Sequence, residues 1–313
     1  MANSKDLHVD KFLTNFAIEY KNDAYIGDML FPELQVDKQS DRYKIYDLST
    51  FGRKDSTLGE ADLASEVDYK WSRDQYYSED HGHRTLITWK TLANADEPNK
   101  HKEKAVRLVK DKVLLDKEYK AAEVALNTAN YDSDLVITTG GGGEPKKWSD
   151  ADSTPALDIE NVRNIMHAKS GLSPNTLILP RPVINALKTN PSLLAIFKNT
   201  ETSLVPLSYL KEFFEIDNII IANASVAANE DGTGTKGYIW GKSAILAYVD
   251  STPQDGFASF GFNFAWKGHE TGTELVRSYD DIPRMISYYE YRNIFSYKIV
   301  SNVAGSIFPD VVA

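Results

Sequence analysis

The feature that most constrains the fold is a long run of helix-forming residues in the middle of the chain. Between Pro98 and Thr128, apolar residues recur at helical spacings, while Lys, Asp and Glu fill most other positions. The acidic residues before Pro98 are typical of a helix start, and Asp96 is the expected cap. Such a helix would be about 45 Å long at about 1.5 Å per residue. The sequence therefore predicts one unusually long helix with one moderately apolar face.

Composition narrows the possible functions. The chain has 313 residues, which is enough for one large domain or two ordinary ones, and a formal net charge of −10. Lys and Arg are spread among more numerous acids, which argues against sequence-specific DNA binding and suits a container better than a binder. Cysteine is absent, which excludes disulfides, thiolate metal sites and cysteine nucleophiles. No apolar run approaches the ~20 residues of a membrane span, and residues 1–6 lack a signal-peptide core.

The first part of the chain, residues 1–41, is predicted to be an extended arm. It mixes short apolar pieces with charges, no single helical stripe runs through it, and Pro32 breaks any helix there. Two interpretations remain open. The arm packs on its own domain as a strap, or it lies on a neighbouring subunit.

Residues 42–90 contain three predicted strands, around Tyr43, around Tyr76 and at 85–89. Between the first two lies a long polar stretch, 50–62, which contains two glycines and little to bury. A compact domain rarely carries so long an irregular loop without a purpose. We expect a projecting hairpin that finds its partners on another chain.

After the long helix the pattern changes to alternating helices and strands, as expected for a mixed α/β domain over residues 151–280. One helix is expected to be capped by Asp158 and ended by Gly171. The further helices and strands are predicted at 182–187, 207–214, 176–180, 218–222, 237–240 and 244–249.

Near the end of the chain, four aromatic residues alternate with small or polar ones, and a long strand pattern follows at 288–300. The aromatic side chains face one side of a strand. They favour a sheet core over a stacking platform for sugars or bases. The four residues are Phe260, Phe262, Phe264 and Trp266.

Candidate chemical motifs are weak. The glycine run 140–143 lacks the Gly-Lys-Ser/Thr of a phosphate loop, and the Gly-Lys-Ser at 241–243 lacks a preceding glycine loop. His81 and His83 lack a third metal ligand at a sensible spacing. The acid pairs Asp62 with Glu66 and Asp280 with Asp281 are expected by chance among 45 acids. We therefore expect no catalytic, cofactor-binding or metal-binding residue and no enzymatic activity.

The order of these elements is more informative than any motif. The order is an arm, a hairpin, a long helix, an α/β domain and a closing strand. This order resembles that of the major capsid proteins of tailed bacteriophages, which have the Hong Kong 97-like fold. The stretches that carry the resemblance are Tyr25–Pro32, Val36–Ser40, Asn94–Asp96, Pro174–Leu179 and Trp240–Val249. It extends over nearly the whole chain, and its ordered set of motifs is more specific than any one of them.

The resemblance implies an α+β capsid fold in four parts. Residues 1–41 would form the N-terminal arm and 42–90 the extended loop. Residues 91–150 and 281–313 would form a peripheral domain with a spine helix at about 98–128, and 151–280 the axial domain. The chain would assemble into hexamers and pentamers of an icosahedral head that encloses double-stranded DNA. It would act in the virion, after assembly in the host cytoplasm, with a separate scaffolding protein, a portal and in some members a decoration protein. No cofactor is implied.

We expect five residues to contact neighbouring subunits: Phe31, Pro32, Phe51, Arg53 and Leu58. Deletion of residues 1–39 is then expected to leave a folded subunit that cannot close shells. Two rival functions remain. One is an encapsulin-type compartment shell, and the other is a monomeric carbohydrate-binding or hydrolytic protein that uses the aromatic strand and an acid pair.

Overall fold

The computed structural model describes residues 8–9, 24–46, 56–58, 63, 66, 71–141, 144–196, 205–227, 229, 233–250, 252, 259–269 and 272–313. The α-helices are α1 Gly27–Leu30, α2 Trp89–Ala93, α3 Pro98–Leu126, α4 Pro155–Ser170, α5 Arg181–Thr189, α6 Pro191–Ile196 and α7 Leu207–Phe214. The strands are β1 His8–Val9, β2 Glu33–Val36, β3 Ser40–Tyr46, β4 Trp71–Tyr77, β5 Glu79–Thr88, β6 Thr176–Pro180, β7 Asn218–Ala222, β8 Ser225–Ala227, β9 Lys236–Tyr238, β10 Ala244–Ala247, β11 Gly261–Trp266, β12 Glu274–Asp281, β13 Ile286–Phe295, β14 Tyr297–Ile299 and β15 Gly305–Phe308.

The α/β part of the chain is built on a four-stranded sheet in the order β15-β10-β6-β7. All five residues of β6 are buried, as a strand covered on both faces requires. Helix α4 ends at Gly171, whose φ of 68° is the left-handed conformation that glycine adopts readily. The predicted cap is wrong, because α4 begins at Pro155 and the Asp158 carboxylate instead accepts a hydrogen bond from Trp148.

The long predicted helix is confirmed as α3, which ends at Leu126, two residues earlier than expected. It lies on a second sheet, ordered β1-β12-β13-β5, and contacts mainly β5 and β13. Val106 and Val109 pack there against Tyr289 and Tyr291. The predicted cap Asp96 is wrong, because Glu97 holds the capping position and makes no side-chain capping bond.

A three-stranded sheet, ordered β14-β11-β2, joins the N-terminal region to the rest of the chain. Strand β2 pairs in parallel with β11, so Leu34 lies opposite Phe264. Three of the four predicted aromatic residues are core residues, as expected: Phe260, Phe262 and Phe264 are at most 5% exposed. The fourth, Trp266, is only partly buried, and its indole N–H donates to the backbone carbonyl of Asp37. The Phe264 ring stacks on Tyr76 of β4 at 4.5 Å between centroids.

The predicted hairpin begins as a two-stranded ribbon in which β3 pairs with β4, from Ser40 opposite Tyr77 to Tyr46 opposite Trp71. The ribbon forms a sheet of its own. Most of the polar stretch between its strands lies outside the described residues.

Strand membership differs from the predicted domain boundaries at two places. Strand β15, within the predicted peripheral range 281–313, pairs with β10 of the α/β sheet. Strand β12, mostly within the predicted axial range 151–280, pairs with β13 in the sheet under α3. The predicted strand at 237–240 ends at Tyr238, and the predicted strand at 288–300 is broken at Ser296 into β13 and β14. In the part of the chain that the structure describes, no helix is long and apolar enough to cross a bilayer.

We predict that Phe264→Ala lowers the free energy of unfolding by about 3–5 kcal/mol, because it removes a buried ring and leaves a cavity beside Tyr76. Chemical denaturation of the purified protein measures this loss. The matched control is Phe213→Ala, at a position that is 37% exposed, where a clearly smaller loss is expected. Equal losses in the two variants would contradict the assignment of Phe264 to the core.

Candidate functional site: the anchored arm and the hairpin tip

A buried carboxylate on α3 fixes the start of the described arm. Glu118 is 2% exposed, and its oxygens accept hydrogen bonds from the backbone N–H of Ile26 at 3.0 Å and of Gly27 at 2.7 Å. The indole N–H of Trp240, which precedes β10, donates to the same carboxylate at 2.6 Å. One side chain therefore ties together the arm, the long helix and the α/β part of the chain.

The charge of Glu118 is subject to opposing effects. Burial raises the pKa of its carboxyl above the usual value, and the hydrogen bonds from Ile26, Trp240 and Gly27 act in the opposite direction. The pKa of the Glu118 carboxyl is raised overall, because burial is the largest influence.

A second carboxylate reinforces the anchor from the arm side. Asp28 forms an ion pair with the buried Lys117 of α3 at 2.8 Å. Its other oxygen accepts hydrogen bonds from Tyr297 at 2.9 Å and from Asn263 at 3.3 Å. Asp28 therefore joins helix α3 to strands β11 and β14.

Close packing requires glycine at the point where the arm meets α3. A Cβ atom added to Gly27 would lie 2.8 Å from the Cβ of Ala121 and 3.0 Å from a Glu118 oxygen. Helix α1 can therefore approach α3 closely enough for its backbone N–H groups to reach Glu118. Ala121, Ala122 and Ala125 supply the small residues on the helix side.

The expected interface residue Phe31 is corrected by the structure. Phe31 is 0% exposed and packs against Phe260 and Tyr297 of its own chain, at 5.7 and 5.3 Å between ring centroids. A side chain enclosed in this way has no surface left for a neighbouring subunit. Leu30 is likewise fully buried, so this part of the predicted arm is a strap on its own chain.

The other expected contact residues stay predictions. Pro32 is partly exposed and Leu58 is 53% exposed. Phe51 and Arg53 lie outside the described residues. The structure does not bring Leu58 together with Pro32 in any described contact.

Three of the candidate chemical residues, His81, Asp280 and Asp281, make structural contacts, and Asp62 lies outside the described residues. The His81 ring packs on Phe295 at 4.3 Å between centroids, and burial lowers the pKa of its imidazole. His83 is exposed. Asp280 accepts a hydrogen bond from Ser287, and Asp281 caps the turn at Arg284. Within the described ranges, no group of three or more His, Asp or Glu could hold a metal ion.

An apolar surface that sequence reasoning missed lies at the turn between β12 and β13, which we call the hairpin tip (residues 282–285). Ile282 is 71% exposed and Met285 is 62% exposed. Leu86 of the paired strand β5 is 51% exposed, opposite Tyr288. Large apolar side chains gathered at one end of a sheet are typical of a surface that another protein covers. The sequence pattern of β13 gave no signal that the turn before this strand is exposed and apolar.

We predict that the arm divides into a dispensable and an essential part. Deletion of residues 1–23 removes, from the described contacts, only the short β1–β12 pairing, and is expected to leave a folded subunit. Deletion of residues 1–39 also removes Ile26, Leu30 and Phe31 from the core. The structure therefore reverses the expectation from sequence, and this deletion should leave an unfolded or aggregated chain. Circular dichroism and a thermal melt compare the two. A cooperative melt for the longer deletion, within a few degrees of the intact protein, would refute the strap.

We also predict a pH dependence at Glu118. The folded state holds this carboxyl at a higher pKa than the unfolded chain does, so the folded state binds more protons. The stability of the intact protein relative to Glu118→Gln should therefore fall as the pH rises from about 4 through the raised pKa. Urea denaturation of both proteins at several pH values measures the difference. A relative stability that rises with pH would mean that the hydrogen bonds outweigh burial.

Comparison with known proteins agrees with this architecture. No protein-family model matches the chain. The major capsid protein of Burkholderia phage BcepMu is 27% identical over 314 residues, covering 87% of this chain and 91% of that protein. The major capsid protein of Pseudomonas phage JBD67 is 25% identical over 271 residues, covering 85% of each.

Solved structures share the fold over almost the whole chain. A phage-related protein from Bordetella bronchiseptica RB50 is 23% identical, with a TM-score of 0.78 over 97% of this chain and 98% of that one. The capsid protein of cyanophage P-SCSP1u is 9% identical, with a TM-score of 0.59 over 93% and 89%. An encapsulin from Synechococcus elongatus PCC 7942 is 10% identical, with a TM-score of 0.52 over 91% and 87%. The chain therefore has the Hong Kong 97-like capsid fold and is a homologue of phage major capsid proteins.

Proposed function

We propose that this protein is the major capsid protein of a phage head. The observation that carries the proposal is the match to two curated major capsid proteins over at least 85% of each chain, together with the capsid fold. The subunits would form hexamers and pentamers of an icosahedral shell that encloses double-stranded DNA. The role is structural, and assembly takes the place of catalysis.

Two surfaces are suited to contacts between subunits. The hairpin tip exposes Ile282 and Met285, which gain from burial against a neighbour. The β3–β4 ribbon pairs with no other described strand, and we propose that the loop it carries reaches an adjacent subunit through Phe51, Arg53 and Leu58. Many weak contacts repeated around each subunit would give a stable shell.

The proposed location and partners of the protein follow from its proposed role as a capsid subunit. The subunit would assemble in the host cytoplasm and act in the virion. Its proposed partners are copies of itself, a separate scaffolding protein, a portal and, in some heads, a decoration protein. We propose the four-part organisation into arm, extended loop, peripheral domain and axial domain, with β12 placed in the peripheral sheet and β15 in the axial sheet.

An encapsulin-type shell is the second candidate, because an encapsulin shares the fold over most of both chains. It would enclose cargo proteins in place of DNA. A monomeric carbohydrate-binding or hydrolytic role has less support, since Phe260, Phe262 and Phe264 are buried in the core. Co-expression with a scaffolding protein and portal distinguishes a phage head from an encapsulin, which would close without them.

We predict that the purified protein forms polyhedral shells, or rings of five and six subunits, in negative-stain micrographs. The double variant Ile282→Asp and Met285→Asp is expected to lower shell yield at least tenfold with little change in melting temperature. Charges placed in an apolar contact oppose its burial, while the exposed tip contributes little to the subunit fold. Leu157→Asp, at a position on α4 that is 57% exposed, is the control for an added surface charge.

Two results would contradict these proposals. A stable monomer under all conditions, with or without a scaffolding protein, would refute the capsid function. Shells that form normally from the double variant would leave the capsid function in place and remove the hairpin tip from the contact surfaces.

A further inference from the structure

The cations of this acidic protein are concentrated in the first half of α3. Residues 98–112 contain six Lys and Arg against two acids, a formal charge of +4, so the rest of the chain carries −14. Lys110 does not contribute to the surface, because it is buried and paired with Glu274 at 3.3 Å. The remaining cations therefore determine the charge of this part of the surface.

Lys100, Lys104 and Arg107 lie on one side of the helix, and Lys112 lies at the flank of that side, by the helical repeat of 3.6 residues. We call these four cations the basic face. All four residues are exposed, and Leu108 between them is 57% exposed. At about 1.5 Å per residue, the face extends over about 18 Å of the helix axis. Lys100 pairs with the exposed Glu97, an ion pair that is weak in water. Lys104 and Lys112 have no ion-pair partner among the described residues.

The basic face continues a surface that the arm covers farther along. Glu118 and Ala122 lie on the same side of α3 as Lys100, Lys104 and Arg107, by the helical repeat of 3.6 residues. Around Glu118 the arm covers this side of α3, and the backbone N–H groups of Ile26 and Gly27 donate hydrogen bonds to the Glu118 carboxylate. The hydrogen bond from Tyr25 to Asp111 marks the end of the described cover. Toward its start, the helix presents the same side uncovered and basic.

The chemistry of the basic face fits a phosphate backbone. Three of its four cations are Lys, which are flexible point charges that bind phosphates without bidentate geometry or base reading. The face is the convex outside of a helix, and none of its residues lines a cavity described in the structure. Lys is depleted at the cores of protein–protein interfaces, so a surface of three Lys and one Arg is less suited to a folded protein partner. A DNA duplex needs only cations spaced along its strand.

We propose that the basic face lies on the inside of the shell and contacts the phosphate backbone of the enclosed DNA without sequence preference. This inference rests on the proposed capsid function and adds a specific contact surface to it. The acidic remainder of the chain repels DNA weakly, so contacts would be confined to one strip of each subunit. DNA would then be held loosely and could still leave.

The first test compares two charge-matched triple variants. K100Q/K104Q/K112Q removes three Lys of the basic face, and K236Q/K242Q/K267Q removes three exposed Lys elsewhere. Gln retains good helix propensity, so folding should persist, and circular dichroism checks it. Fluorescence anisotropy with a dye-labelled 20-base-pair duplex measures binding by unassembled subunits at several salt concentrations.

We expect the first variant to lose at least tenfold in affinity at low salt. The slope of log affinity against log salt should fall by about 2.7, or about 0.9 per phosphate contact. The control variant should change less than twofold. Equal losses in the two variants, or no binding by the intact protein, would overturn the proposal.

The second test locates the face in assembled particles. Because the chain has no cysteine, Lys104→Cys introduces a single labelling site. A 5-kDa maleimide polymer should label dissociated subunits and fail to label closed shells. Rapid labelling of closed shells would place the face outside and overturn the proposal.

Assembly of the variants separates this inference from the proposed function. If the intact protein forms no shells, the capsid function fails. If both variants form shells and only the first retains less DNA after packaging, the inference holds. If the first variant alone forms no shells, the face binds another protein during assembly, and the DNA contact is refuted.

Discussion

The fold depends on one buried carboxylate placed where three distant segments meet. Glu118 of α3 accepts hydrogen bonds from the backbone of Ile26 and Gly27 and from the indole of Trp240. A buried donor or acceptor without a hydrogen-bond partner lowers the stability of the fold. The three donors and the carboxylate therefore stabilise one another. Loss of Glu118 would take away the carboxylate that these donors from the arm and the α/β part share.

This arrangement explains why residues 24–36 are packed as part of the subunit core. Helix α1 carries Leu30, and Phe31 follows it, both fully buried, while β2 adds a parallel strand beside β11. Polar anchoring fixes the position of the segment, and apolar burial supplies most of the free energy. The contact surfaces that we propose, the hairpin tip and the ribbon, are therefore separate from this buried segment.

Local patterns predicted much of the secondary structure. The α3 helix, β6, β7 and α7 follow from periodicity, flanking prolines and β-branched runs, and the structure places them within two residues of the expected bounds. The capping assignments at Asp96 and Asp158 were wrong, and at Asp158 a tertiary contact overrode the local preference. Asp158 bonds to Trp148 instead of capping its helix.

The anchor could not be predicted in the same way. Glu118 lies among charged residues and reads as an ordinary solvent-exposed helix position, since its partners are more than 90 residues away in sequence. The order of elements led to the capsid resemblance, but it could not distinguish an arm on a neighbour from a strap on its own chain. The hairpin tip gave no signal either, because exposure depends on how β12, β13 and β5 come together.

The parallel pairing of β2 with β11 also has a consequence for how the chain is made. Glu33 leaves the ribosome long before its partner Asn263 has been synthesised. At about 5–20 residues per second, the delay is on the order of 10–50 s. Throughout nearly all of that interval Phe31 lacks Phe260, and it lacks Tyr297 for longer still; these are two of the rings that it packs against. Each newly made subunit therefore passes through a stage in which apolar side chains of its N-terminal segment are exposed. Such a nascent chain is prone to aggregate until β11 has been synthesised.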